Sequence, residues 1–313
     1  MTRLRMRVAK IEATTHDTKI YTLTPEGGGA LPAAEAGAHI DLFLDQGLVR
    51  QYSLVRPSLR PAAYVVAVKR DRASRGGSLF VHERLREGDL IEISPPRNTF
   101  PLAPGEGPHL LIAGGIGLTP VWSMAQALEA RNADWRLYAS NRSRRDTPLL
   151  AELEASPRVH LHFDDEAGGF LDLPALIGDA PDRAHLYCCG PSPMLAAFRA
   201  AAASRPPDHV HFEAFTAEAL GAEGDQAFTV RLAGSGRDIP IPAARSILET
   251  LRAEGLDLPS SCEVGVCGLC ETKVLAGEVD HRDHVLSADE QARNDRMMIC
   301  CSRARSPVLV LDL

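Results

Sequence analysis

Three cysteines crowded onto one short segment, with a fourth far downstream, constrain this chain more than any other feature of its sequence. The spacing is Cys262-x4-Cys267-x2-Cys270, followed by 29 residues before Cys300. Zinc sites usually set two CxxC-type pairs apart, whereas three thiolates on one loop with a distant fourth match the plant-type [2Fe–2S] spacing. Two irons need four thiolates, and a tight loop lets main-chain N–H groups point at the sulfurs and raise the reduction potential. Gly265 and Gly268 permit such a loop to bend back on itself, and Ser260 and Ser261 can add hydroxyl donors. A zinc site or a set of buried free thiols is the plainer alternative for the same residues. Cys301 is surplus to the spacing and is expected to be structural.

The remaining cysteines are the pair Cys188–Cys189, making seven in all. An odd count in a chain whose first residues lack the apolar stretch and cleavage site of a secretory signal argues against a disulfide framework. A cytoplasmic location is therefore expected. A length of 313 residues suggests two or three domains, and 45% hydrophobic with 24% charged residues is ordinary for a globular protein. Apolar runs such as Leu110–Ile116 fall far short of the ~20 residues that span a bilayer, so no membrane partner is expected. The net charge of −7, with no basic stripe, argues against nucleic acid as a partner.

Along the chain, the first hundred residues alternate apolar and polar with turn punctuation. Short strands are expected over Arg7–Ala13, Lys19–Thr24, His39–Leu44, Gln51–Val55, Ala63–Lys69 and Leu90–Ile93, with a helix over Ser78–Leu85. Such a set suggests a small antiparallel barrel, closed by the proline-rich break at Pro95-Pro96 and Pro101–Pro104. From His109 strands alternate with helices as far as Phe215, the signature of a parallel sheet wrapped by helices. Thr216–Asp225, rich in Ala, Gly and Glu, reads as a linker. A third unit follows from Gln226: a hairpin over Thr229–Leu232 and Asp238–Ile241, a helix over Ala243–Glu254, the cysteine loop and a last strand, Val308–Leu311.

Two glycine turns stand in the α/β region. Gly114-Gly115-Ile116-Gly117-Leu118-Thr119-Pro120 joins a strand to a helix, as does Cys188-Cys189-Gly190-Pro191-Ser192-Pro193-Met194. Glycines let backbone approach a phosphate, and a helix N-terminus offers it free N–H groups. A turn of this kind can equally be tight packing, but both would lie at strand carboxyl ends, where open parallel sheets bind ligands. In the barrel, Arg50-Gln51-Tyr52-Ser53-Leu54 brings together a guanidinium, a phenol and a hydroxyl, suited to a phosphate, a flavin ring and its redox-active nitrogen. Taken alone that segment is also an ordinary β-strand.

The order R-x-Y-S, then G-G-x-G-x-T-P, then C-G-P-x-x-M resembles the ferredoxin–NADP reductase superfamily. With the C-terminal plant-type cysteine set, nearly the whole chain resembles the phthalate dioxygenase reductase family. The resemblance implies three domains: an antiparallel β-barrel binding FMN over 1–103, an α/β parallel-sheet domain binding NAD(P) over 104–222, and a ferredoxin-like (β-grasp) [2Fe–2S] domain over 226–313. It implies FMN held by Arg50, Gln51, Tyr52, Ser53, the Ala67-Val68-Lys69 strand end and Arg75-Gly76-Gly77-Ser78, with Phe215 approaching the flavin. It places the nucleotide at Gly115, Gly117, Thr119, Gly190 and Pro191, with Thr119 and Cys189 lining the nicotinamide site and Ser53 addressing the flavin nitrogen. Cys262, Cys267, Cys270 and Cys300 are then the cluster ligands.

The implied activity is an NADH-dependent reductase that feeds a separate terminal oxygenase, a Rieske-type aromatic-ring dioxygenase or O-demethylase, and acts as a monomer. A stand-alone haem monooxygenase is a second acceptor. An electron-transfer subunit that binds no nicotinamide, and a non-redox sensor using its cluster as a switch, are readings of other classes. NADPH remains open beside NADH. In the turn Asn141–Asp146, Asp146 would accept from a ribose 2′-hydroxyl, whereas Arg142, Arg144 and Arg145 would suit a 2′-phosphate or simply be a solvated turn.

Overall fold

Alternating apolar residues build the first sheet. The computed structural model describes residues 3–45, 48–71, 76–105, 107–215, 225–260, 262–283 and 285–313. Strands β1 (Leu4–Ala13), β2 (Thr18–Pro25), β3 (His39–Phe43), β4 (Val49–Ser53), β5 (Tyr64–Lys69) and β6 (Leu90–Ile93) pair antiparallel in the order β4-β3-β6-β1-β2-β5. A bridge between Leu54 and Val66 joins the two edges, so the sheet closes on itself. Inward-facing Met6, Val8, Ile40, Leu42, Val66 and Ile93 fill the barrel. Helix α1 (Gly77–Glu83) packs on it through Val81, whose carbonyl accepts from the Tyr21 hydroxyl at 3.0 Å.

Five parallel strands follow: β7 (His109–Gly114), β8 (Trp135–Asn141), β9 (Val159–Phe163), β10 (His185–Cys189) and β11 (Val210–Glu213). Their connections carry α2 (Leu118–Ala130), α3 (Leu150–Glu154), α4 (Asp164–Ala167), α5 (Leu173–Gly178) and α6 (Ser192–Ala201). The strand order is β11-β10-β7-β8-β9. The chain therefore builds outward from β7 to β9, then returns to the other side of β7, and the order reverses between β7 and β10. That reversal opens a crevice at the strand carboxyl ends.

The remaining sheet has the order β13-β12-β18-β14-β16, from β12 (Phe228–Leu232), β13 (Asp238–Ile241), β14 (Glu271–Ala276), β16 (Arg296–Met298) and β18 (Val308–Leu311). Only the central β12–β18 pair is parallel, and α7 (Ile247–Ala253) packs Ile247, Leu248 and Leu251 into the core with Val230, Ile241 and Leu309, a β-grasp arrangement. The short pair β15 (Val279–Asp280) and β17 (Arg303–Ala304), and helix α8 (Ala288–Arg293), complete it. By contact, Met1–Glu213 form one compact unit and Ala214–Leu313 another. Among the described residues no helix is long and apolar enough to cross a membrane.

Several elements differ from expectation for local reasons. Helix α7 starts at Ile247 rather than Ala243, because Ser246 and Glu249 exchange side-chain bonds to each other's N–H groups at 3.0 Å, a capping box that fixes the first turn. β14 to β17 and α8 escape the periodicity reading, being two to six residues long. In the expected linker, residues 216–224 lie outside the described residues, but Asp225 belongs to the last unit. Its buried carboxylate accepts from Arg282 Nη1 at 3.1 Å and faces Arg303 Nε at 3.8 Å.

Candidate functional site

The cluster cysteines are brought together by strand pairing. In the β14–β16 ladder Glu271 lies opposite Met298, so Cys270, just before β14, meets the residues just after β16. Cys270 O accepts from Ile299 N at 3.5 Å, and Cys300 follows. Cys262 Sγ lies within hydrogen-bonding reach of the Cys267 and Cys300 thiols, and Cys270 of Cys300. Val264 N–H and Val266 N–H both donate to Cys262 Sγ at 3.4 Å. Gly265 and Gly268 have φ of +75° and +73°, and a Cβ on Gly265 would overlap the Cys301 sulfur. Cys301 is thus buried packing beneath the loop. Four convergent thiols with main-chain N–H groups already aimed at one of them fit a [2Fe–2S] cluster.

The limb leading into this loop is held by a residue the sequence did not single out. Arg252 of α7 donates to Leu258 O at 2.8 Å, Ser260 Oγ at 2.6 Å and Glu263 Oε1 at 3.0 Å. Glu263, between Cys262 and Val264, sits at φ +56°. No local pattern marks Arg252, since its partners are set by the path of the loop. Ser261 lies outside the described residues.

In the barrel, β4 ends at the closure seam. Arg50 and Tyr52 lie opposite Leu42 and Ile40, hence on the core side of β4, while Gln51 and Ser53 face the other way. Burial pushes the Tyr52 phenol well above its ordinary range, so it stays neutral. Gly76 takes φ +91° at the start of α1, and a Cβ on Gly77 would lie 2.6 Å from Arg50 Nε, so the arginine side chain packs over Gly77. Ser78 Oγ accepts from Asp71 N at 3.1 Å. Ala67, Val68 and Ser53 are buried, and Lys69 Nζ stands 3.6 Å from Asp17. Gln51 Nε2 is buried without a hydrogen-bond partner among the described residues, a donor waiting for an acceptor. A cation packed over Gly77, with an orphaned donor on the other face of the same strand, fits FMN. Arg75 lies outside the described residues, and Phe215, 38% exposed, falls in the second unit.

The two glycine turns meet. Ala113 lies opposite Cys189 on adjacent parallel strands, so both turns leave the same edge at the strand-order reversal. A Cβ on Gly117 would overlap the Cys189 carbonyl and lie 2.8 Å from Gly190 N; one on Gly114 would lie 2.7 Å from Pro191 Cδ. Gly115 takes φ +55° with open space beside it. Thr119 Oγ1 donates to Ile116 O at 3.0 Å, closing the first turn. Cys189 is wholly buried, and burial, then Glu213 and Cys188, push its thiol well above the ordinary range, so it is no thiolate nucleophile. Barrel and sheet are tied by Arg56, whose guanidinium donates to both Glu152 oxygens at 2.5 and 2.7 Å while Trp122 Nε1 donates to the same carboxylate at 3.1 Å. Burial alone would raise the Glu152 pKa, but Arg56 outweighs it and holds the carboxyl below its usual range.

Comparison with known proteins gives the family. Residues 230–305 match the 2Fe-2S iron-sulfur cluster binding domain family. Phenoxybenzoate dioxygenase subunit beta of Ectopseudomonas oleovorans is 48% identical across 100% of this chain and 98% of its own length. Phthalate dioxygenase reductase of Burkholderia cepacia is 41% identical, covering 99% of this chain and 97% of its own. The chain belongs to the phthalate dioxygenase reductase family. The solved phthalate dioxygenase reductase structure, described as modular for electron transfer from pyridine nucleotides to [2Fe–2S], superposes with a TM-score of 0.79 over 99% of this chain and 98% of that one. A type IV self-sufficient cytochrome P450 monooxygenase superposes at 0.81 with 40% identity, covering 99% of this chain and 41% of that one. As a phthalate dioxygenase reductase homologue with a 2Fe-2S binding domain, the chain is an oxidoreductase, an electron-transfer reductase for an oxygenase component.

Proposed function

We propose that this chain oxidises NADH and passes the electrons singly to a separate Rieske-type aromatic-ring dioxygenase or O-demethylase, with residues 1–103 holding FMN, 104–222 the nucleotide and 226–313 the cluster. The observation that carries the reading is the meeting of both glycine turns at the strand-order reversal, in a chain that also gathers four cysteines beside its C-terminal sheet. FMN bound here would supply the conversion of one two-electron hydride into two single-electron transfers that a [2Fe–2S] cluster can accept. The protein's part is positioning and exclusion of water.

Arg50, the N–H groups after Gly76 and Ser78 suit the FMN phosphate, Lys69 adds positive charge, and Arg75 is assigned to the same phosphate from the sequence. Tyr52 suits a ring edge, Gln51 Nε2 and Ser53 Oγ can donate to its polar atoms, and Ala67 and Val68 floor the site. Phe215 is proposed to approach the flavin. Gly115, Gly117, Gly190 and Pro191 let the dinucleotide lie close to main chain, with Thr119 and the Cys189 segment beside the nicotinamide. Cys262, Cys267, Cys270 and Cys300 ligate the irons.

NADH is proposed over NADPH. Arg144 is flanked by Glu154 and, at 3.6 Å, Glu166, which takes one arginine out of any 2′-phosphate site. Asp146 accepts from Ser143 Oγ at 2.6 Å and faces His16 Nδ1 at 3.4 Å, so its carboxylate is partly engaged already. The chain is proposed to work in the cytoplasm as a monomer.

Anaerobic mixing with NADH tests the reading: flavin bleaching followed by cytochrome c reduction is expected, with a higher kcat/KM for NADH than for NADPH. No bleaching by either nucleotide would leave an electron-transfer subunit that binds no nicotinamide. The likeness to a P450-fused reductase favours a second acceptor, a haem monooxygenase. Faster turnover with a stand-alone P450 than with a Rieske oxygenase would select it.

A further inference from the structure

A buried carboxylate lies behind the cluster loop, and neither the ligand spacing nor the reductase chemistry assigns it a role. The Asp283 side chain is wholly buried. Its Oδ2 accepts from Leu286 N at 2.8 Å and Val285 N at 3.2 Å, closing the turn that leads to α8. Its Oδ1 accepts from the fully buried Ser302 hydroxyl at 3.3 Å, and His281 Nδ1 stands 3.5 Å from the same oxygen. Ser302 lies two residues after Cys300 and also accepts from Arg282 N at 3.2 Å. On its other side Asp283 is pressed against the three-cysteine loop: a Cβ on Gly265 would lie 3.1 Å from Asp283 Cα and 3.3 Å from its Cβ. Val285, held by that carboxylate, lies under Gly268, with Cγ1 3.6 Å from where a Cβ would be.

We infer that Asp283 is a positioning residue for the cluster, joining the loop that carries Cys262, Cys267 and Cys270 to the segment that carries Cys300. This rests on those four cysteines being the cluster ligands. The two ligand groups come from different parts of the chain, and β14–β16 pairing aligns only Cys270 with Cys300. Asp283 supplies the second tie. It backs Gly265, in the stretch whose N–H groups at Val264 and Val266 point at Cys262 Sγ, and grips Ser302 behind Cys300. Its formal negative charge lies close behind the ligands and disfavours an added electron, so it also lowers the reduction potential.

The full-length holoprotein tests this with two substitutions. Asp283→Asn keeps the shape and an acceptor for Leu286 N while removing the charge. EPR-monitored redox titration should show the cluster retained with its midpoint potential shifted upward. Ser302→Ala removes one arm of the tie and leaves the turn intact. It should lose the visible charge-transfer absorbance several-fold faster than wild type under a fixed concentration of chelator. An unchanged potential in Asp283→Asn together with an unchanged release rate in Ser302→Ala overturns the assignment. If Asp283→Asn does not fold, the release rate of Ser302→Ala decides alone. Wild-type protein without iron and sulfide would instead remove the cluster reading itself, an outcome distinct from variants that match a loaded wild type.

Discussion

At single residues, the space a side chain leaves decides what the site can hold. Gly265 is at φ +75° and has the Cys301 sulfur where a Cβ would be. Alanine there meets the left-handed penalty of roughly 1–2 kcal/mol and a clash with a buried neighbour. Gly265→Ala is therefore expected to yield protein with FMN but little cluster, read from iron content per flavin. Gly255, at φ +88° with open space around it, is the control: Gly255→Ala should keep its iron. Arg50 is the corresponding residue in the barrel, where its chain crosses Gly77. Removing a charge-assisted phosphate contact costs about 1.5–3 kcal/mol, so Arg50→Ala should bind FMN roughly 10- to 150-fold more weakly. Fluorescence of FMN released on dilution measures that, and release of FAD from wild type would show the phosphate end to be misread.

Whole elements carry a second kind of dependence, at the sheet edge opposite the glycine turns. His109 and His185 begin the adjacent strands β7 and β10, His211 is the second residue of the next strand, β11, and His209 precedes it. His185 Nδ1 lies 3.2 Å from His211 Nε2, and Tyr187 stacks on His211 at 4.4 Å. Burial, then mutual repulsion, lowers the pKa of His109 and His185 and brings His211 to about 4, with Asp208 opposing the shift at His185 and His211. An unfolded chain takes up protons near pH 6.5 that the folded sheet refuses until lower pH. The stability these histidines permit is thus complete above about pH 6.5 and is lost as pH falls toward the folded value of about 4. Urea midpoints should drop between pH 7.5 and pH 5, and His211→Phe, which keeps the stack, should flatten that slope. An equal slope in wild type and variant would place the acid sensitivity elsewhere.

Over the whole molecule, Met1–Glu213 and Ala214–Leu313 are separate compact units, and the proposed function assigns hydride chemistry to the first and single-electron delivery to the second. A chain ending at residue 222 should keep FMN and be bleached by NADH, yet reduce cytochrome c at a small fraction of the full-length rate. Equal cytochrome c rates would mean the flavin delivers electrons directly. Much of this layout was legible in the residues. The cysteine spacing, the glycine turns and the R-x-Y-S segment depend on local chemistry, such as which residues permit close backbone approach and which supply thiolate, and local chemistry is written in order along the chain. Long periodic segments such as β1 and α2 were legible for the same reason. What the sequence left open is non-local. It took the β14–β16 ladder to bring Cys300 to Cys270, the path of the loop to give Arg252 and Asp283 their partners, and strand reversal to press Gly117 onto Cys189. Asp225 reads as linker until the two arginines that face it, some sixty and eighty residues downstream, are seen in place. A side chain's composition is carried in the sequence, but which distant group it meets is decided only when the sheets close.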